Sequence, residues 1–162
     1  MGQSETEMAA MTTPRGRVYP QAEARRMAFT ERPVRAGEVI LQAGANNGLL
    51  ISTVAGRFEV IAVDNEMRVP ISEVGPDQIL GEVSFFDGQP VSAEVVALTD
   101  GRIGELLRAD FDRWAVADPT LAHLLMMDVA TTLSQRLRTL TTRVAALEYA
   151  LDQGMQDSPF RI

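Results

Sequence analysis

Glu82, Asp87 and Glu94 stand close together in the chain and are its clearest candidates for acid chemistry. Paired carboxylates of this kind serve glycoside hydrolysis, or ligate a hard cation such as calcium through oxygen. No nucleophile–base pairing accompanies them, so neither use is expected here. There is no cysteine and one histidine, His123. Disulfides, thiolate nucleophiles, iron–sulfur clusters and multi-histidine metal sites are excluded by that count, and a metal-dependent cupin with them. His123 reads as a packed or solvent-facing side chain of a helix rather than a haem ligand. Gly101-Arg-Ile-Gly104 lacks the helix start that a dinucleotide fingerprint needs. The expectation is a protein with no catalytic and no metal-ligating residues. What remains is Gly81-Glu82, directly after the apolar pair Ile79-Leu80 and before Val83-Ser84-Phe85-Phe86.

Charge narrows the partners. Asp and Glu number 22 against 15 Lys and Arg, for a net charge of −7 over 162 residues. Such a field repels nucleic acid, and no DNA partner is expected. No apolar window reaches the length of a membrane span, and the N-terminus lacks the apolar core of a signal peptide. Gly2 and Thr6 fit the myristoylation pattern loosely, but Glu5 and Glu7 oppose attachment to anionic lipid. A cytoplasmic protein without a membrane partner is the expectation.

The elements that must position these residues fall into three stretches. Residues 1–20 are polar, carry Pro14, Gly16 and Pro20, and read as a flexible tail. Gln21–Phe29 reads as two turns of helix, with Pro33 as a stop. From Val34 to Leu107 the runs Val39–Leu41, Leu49–Val54, Phe58–Val63, Val69–Val74 and Val95–Leu98 alternate with glycines. Short apolar runs at this spacing predict a mainly β fold of many short antiparallel strands closing into a sandwich or barrel. Asp64-Asn65 carries the chemistry of a tight hairpin.

The last third is helical. Asp110 is expected to cap a short helix over Phe111–Trp114, and Asp118 to cap a long one starting at Pro119. No glycine or proline interrupts 120–153, so the long helix is expected over 119–152, with 153–162 as a second tail. Leu133, Leu137, Leu140, Val144, Leu147 and Leu151 step alternately by four and three, a heptad seam with Leu137, Val144 and Leu151 at a. Arg143 at g and Glu148 at the next e would meet in a parallel pair. The expectation is a homodimeric coiled coil through this helix; the alternative is packing of the stripe on the chain's own strands.

Residues 79–98, Ile-Leu-Gly-Glu-Val-Ser-Phe-Phe-Asp-Gly-Gln-Pro-Val-Ser-Ala-Glu-Val-Val-Ala-Leu, resemble the phosphate-binding cassette of the cyclic-nucleotide-binding domain family. This is the regulatory module of catabolite-activator-type transcription factors and of cyclic-nucleotide-dependent kinases and channels. Arg35–Gly44 is similar to the family's opening glycine-flanked strand, and Leu49–Val60 to its next strand pair, with Gly56 at the turn. Arg108–Trp114 and the helix through Ser134–Leu137 are similar to its closing helices. The resemblance covers roughly residues 28–152 and implies an antiparallel β-roll or jelly roll of about eight strands with flanking helices, so 21–152 is expected to be one domain including the dimerisation helix. It implies a ligand site of Gly81, Glu82, Val83, Ser84, Val91, Ser92 and Ala93, with Thr141 of the long helix facing the base. It further implies that backbone amides take the cyclic phosphate, that Glu82 accepts from the ribose 2′-hydroxyl, and that an arginine after the proline neutralises the phosphate.

Two residues depart from the pattern. Val91 stands where the arginine belongs, and Glu94 replaces a small hydroxyl residue on the face of Ser92. Loss of the arginine pair costs roughly 1.5–3 kcal/mol, and a carboxylate about 5 Å from the phosphate roughly another 3. The resemblance therefore implies a stand-alone regulatory module with a degenerate cassette. It would be a dimeric small-ligand sensor, with cAMP or cGMP as weak regulatory ligands and an unidentified protein effector. With the sequence ending soon after the long helix, the further DNA-binding domain of an activator is not expected. A true cAMP/cGMP receptor using Arg57, Arg68 or Arg102 as substitute cation, and a ligand-free dimerisation scaffold, are the alternatives. Phe85 and Phe86 are expected to pack the cassette turn onto the roll; the competing role is an apolar pocket for another ligand, with Val91 contributing.

Overall fold

The computed structural model describes residues 10–12, 18–20, 28–64 and 67–156. Within the expected N-terminal tail, β1 (Ala10–Thr12) and β2 (Val18–Pro20) pair as a small antiparallel ribbon. Of the helix expected over Gln21–Phe29, residues 21–27 lie outside the described residues. The chain divides into two compact units, residues 1–126 and 127–162.

The first unit is the roll. Eight strands follow β1 and β2: β3 (Thr30–Val34), β4 (Val39–Leu41), β5 (Leu49–Ala55), β6 (Phe58–Asp64), β7 (Met67–Val74), β8 (Ile79–Leu80), β9 (Ala93–Ala97) and β10 (Gly101–Leu107). They form two four-stranded antiparallel sheets, in the orders β3-β10-β5-β8 and β4-β9-β6-β7. The apolar runs became strands because glycine-rich turns break any helix while β-branched residues pack well on a pleated face. Pro33, read as a helix stop, lies in β3, an edge strand where its missing N–H does least harm. Gly101 and Gly104, the pair rejected as a dinucleotide fingerprint, sit in β10. A Cβ at Gly104 would lie 2.7 Å from Cβ of Phe29, so the strand needs glycine for close packing. The β6–β7 pairing runs to Asp64 opposite Met67, as the hairpin expectation requires; the turn residues 65 and 66 are outside the described residues.

Val34, Ile40, Leu41, Ile51, Phe58, Leu80, Val91, Val95, Ala97 and Ile103 form one buried cluster fed by both sheets. Truncating Phe58, which is wholly buried, would cost about 3–5 kcal/mol.

Helices α1 (Glu82–Asp87), α2 (Arg108–Ala117) and α3 (Pro119–Gln156) follow or interrupt the strands of the roll. Asp110 does not cap α2, which begins two residues earlier. β10 runs straight into it, and the amide of Arg108 is taken by the carbonyl of Gly48 at 2.8 Å, so no side-chain cap is needed. Asp110 instead pairs with Arg113 along the first turn. Asp118 does cap α3: its Oδ1 accepts from the amide of Leu121 at 3.1 Å. α3 continues past Gly154 to Gln156, four residues beyond the expected end. In 127–156, the hydroxyls of Thr131, Thr132, Ser134, Thr139, Thr141 and Thr142 each donate to the carbonyl four residues back. Those bonds satisfy the hydroxyls within the helix itself. Among the described residues no helix is long and apolar enough to cross a membrane.

Candidate ligand-binding cassette

The cassette turn is made possible by one glycine. Gly81 has φ +79, and a Cβ there would lie 2.6 Å from the carbonyl oxygen of Leu49 and 3.1 Å from Cδ1 of Leu41. Only glycine meets both conditions, so β8 can end there and α1 begin. Phe85 donates its amide, and Ser84 its hydroxyl, to the carbonyl of Gly81 at 3.0 and 3.2 Å. Glu82 and Ser84 are buried polar residues of the turn, while Val83 is exposed. Gly88, at φ +71, closes α1 and donates to the carbonyl of Ser84.

The other arm, Val91-Ser92-Ala93, is held by the loop that precedes β5. Gly44 donates to the carbonyl of Val91 at 2.8 Å, and Val91 donates to that of Ala45 at 2.9 Å. The same loop passes Gly48 to α2 and Leu49 to Gly81, so residues 44–49 touch both arms. Ser92 is exposed, and Ala93 opens β9.

Strand register decides where the two departures point. Residues paired directly across antiparallel strands share a face. Ala97 pairs with Phe58, Val95 with Val60 and Ala93 with Ala62, and this row faces the core. Val91 belongs to the same buried cluster and is 5% exposed. Glu94 pairs with Ile61 and takes the opposite face. It does share the parity of Ser92, as expected, but it does not stand as an uncompensated charge. Arg68 of β7 reaches across β6 with both Nη atoms to both carboxylate oxygens of Glu94. Its hydrogen bond to Glu94 raises the Arg68 guanidinium above its ordinary pKa. Glu94 is only 7% exposed, so that partner is what permits a carboxylate there. The like-charge penalty inferred from sequence is corrected accordingly. Its error was one of partner: a period-two pattern assigns a face but not a neighbour two strands away.

Of the other proposed substitute cations, Arg57 pairs with Glu73 at 3.0 Å and Arg102 with Glu31 at 3.7 Å. Phe85 is 1% exposed and packs edge-on against Phe111 of α2 at 5.7 Å, as expected of a turn packed down by its aromatics. Phe86, at the rim, lies 5.1 Å from Phe85 and 6.3 Å from Phe111. Val91 contributes to the core, not to a pocket with these rings. Asp87 accepts from the amide of Gln89 at 2.8 Å, a local turn contact. Among the described residues no group of three acids or histidines is placed to hold a metal. Thr141 lies in the second unit, with its hydroxyl on the carbonyl of Leu137 at 2.9 Å.

Sequence reasoning missed Arg108. Its Nη1 donates to the carbonyl of Phe85 at 2.9 Å, which places a cation against the cassette helix. A basic residue at a strand–helix junction, four before Asp112, was the available signal.

The family model for the cyclic nucleotide-binding domain matches residues 31–118, more than half of the chain and the whole roll with its cassette. The chain belongs to the cyclic nucleotide-binding domain family. Solved structures of similar shape agree on the fold. The catabolite activator protein of Thermus thermophilus superposes with a TM-score of 0.65 at 23% identity, over 80% of this chain and 59% of that one. A cyclic nucleotide-binding domain from Methylobacillus flagellatus gives 0.70 at 23% identity, over 78% and 71%. The c-di-GMP responsive global regulator CLP of Xanthomonas campestris gives 0.69 at 14% identity, over 88% and 74%. The chain thus spans about three-fifths of the Thermus activator's length. No curated protein sequence matches it. For a cyclic nucleotide-binding domain, a regulatory binding role rather than catalysis is the family's function.

Proposed function

We propose that the chain is a non-catalytic, cytoplasmic sensor module that dimerises through α3 and signals to a protein partner, with weak affinity for cAMP and cGMP. One observation carries the reading: the side chain after Pro90 is Val91, folded into the core, while the arginines considered as substitutes are spent on carboxylates. The cassette turn itself is well formed, so backbone capture of an anion is retained in kind while the charge-assisted fork is lost. Loss of that fork removes roughly 1.5–3 kcal/mol, or one to two decades of affinity. Gly81, Glu82, Val83, Ser84, Ser92 and Ala93 remain the residues proposed to line the site. Calorimetric titration of the whole chain with cAMP and with cGMP tests this. Dissociation constants in the high-micromolar range or weaker are expected for both. Submicromolar binding of either would establish a receptor with another cation, and the weak-sensor reading would fall. Dimerisation without any heat from either nucleotide would favour the scaffold.

A further inference from the structure

α1 has six residues, too few to hold its own shape, and its C-terminal carbonyls lack partners within the helix. Gly88 takes the carbonyl of Ser84, but that of Phe85 belongs to a residue 1% exposed, where an unpaired acceptor is costly. Arg108 supplies its donor. Nη1 sits 2.9 Å from that oxygen, Nε sits 2.9 Å from Oδ1 of Asp112, and the guanidinium carbon lies 5.7 and 6.0 Å from the ring centres of Phe85 and Phe111. Its own amide is on the carbonyl of Gly48 at 2.8 Å. One residue therefore joins three pieces: its backbone amide holds the loop behind the cassette, and its side chain ties the cassette turn to the first turn of α2.

We propose that Arg108 is the positioning residue of the cassette, the directional tie through which a shift of α1 becomes a shift of α2. The ring contacts between Phe85, Phe86 and Phe111 hold the same elements together, but edge-to-face contacts tolerate sliding, whereas a forked guanidinium on a carbonyl and a carboxylate does not. Lysine cannot replace it, because a single ammonium on a flexible stem does not bridge both acceptors and both rings. The regulatory sense of this tie rests on the ligand-responsive reading above, but its existence does not.

Hydrogen exchange on the whole chain, without ligand, tests it. Arg108→Lys is expected to speed exchange of the α1 amides about tenfold, with β5, β6 and β9 unchanged. Gly88→Ala, which forces a Cβ onto a residue at φ +71, provides an independent push on α1. In the otherwise native chain that push should reach the amides of 112–117, raising their exchange about fivefold. In the Arg108→Lys background it should stop at α1. Two results would overturn the proposal: a uniform loss of protection across the roll in Arg108→Lys, or transmission that survives Arg108→Lys and vanishes in Phe111→Leu. Because no nucleotide is added, failure of this tie is distinguishable from failure of the chain to bind cAMP or cGMP.

Discussion

Val91 and Glu94 are three residues apart, and the structure gives them opposite consequences. Val91→Arg places a long apolar stem in the core with a charged head that must reach the cassette mouth. Affinity for cAMP should rise by one to two decades, while thermal stability falls, since Val91 is a member of the buried cluster. Calorimetry and a melting curve on the same sample separate the two effects. Glu94→Thr should add nothing to nucleotide affinity, because Arg68 already compensates the carboxylate. The reverse deletion, Arg68→Met, leaves Glu94 buried without its cation. It should lower the urea unfolding midpoint, and most of that loss should be recovered by Arg68→Met with Glu94→Met. Equal losses in the single and the double variant would show that the pair does not act as one unit.

The elements around the cassette are set by close backbone approach and by ion pairs between strands. Gly81→Ala should destabilise the chain by about 2 kcal/mol or more, since the new methyl meets the Leu49 carbonyl and the φ is left-handed. Loss of α1 protection ahead of global unfolding would show it, and a neutral effect would mean the turn can reorganise. On the far side of the roll, Arg32 of β3 donates to Glu105 of β10 at 2.7 Å and to Glu38 at 2.5 Å. That hydrogen bond, followed by one from the Arg35 amide, holds the Glu38 carboxyl below its ordinary value of 4.5. Its contribution to stability is therefore whole above that pH and is lost as the pH falls through the lowered value. Urea midpoints should drop between about pH 5 and pH 3, and Glu38→Gln should start lower and fall less steeply. Parallel slopes would assign the acid sensitivity elsewhere.

At the scale of the molecule, α3 leaves a face uncovered. Leu137, Leu140, Val144, Leu147 and Leu151 are between 52% and 69% exposed, with Leu133 at 37%. Their heptad spacing on a continuous helix fits a second copy, Arg143 of one chain meeting Glu148 of the other. Burying leucines contributes about 1.5–3 kcal/mol each, so a charge at the central d position is severe. Leu140→Asp should weaken the dimer by about two decades or more, seen by light scattering as monomer at micromolar concentration. A native chain that is already monomeric at that concentration would remove the dimer from the proposed function.

Local physics is written directly in this chain. Glycines between short β-branched runs specify strands, Asp118-Pro119 starts the long helix, and Gly81-Glu82 after Ile79-Leu80 marks the cassette. Each depends only on backbone conformation or on neighbours within a few residues, and each is found where the residues imply. Tertiary structure decided the rest. Whether Glu94 opposes an anion or closes a pair depended on Arg68, two strands away. Whether Val91 lines a site or fills the core depended on the backbone bonds to Gly44 and Ala45, almost fifty residues away, that hold it in the buried cluster. α2 starts three residues earlier than expected, where the carbonyl of Gly48, sixty residues earlier in the chain, takes the amide of Arg108. Arg108 had no motif at all, because its meaning lies in an acceptor on α1 that exists only once α1 and α2 are packed together. Spacing along a chain encodes faces and caps; partners brought in from distant strands are settled by the fold.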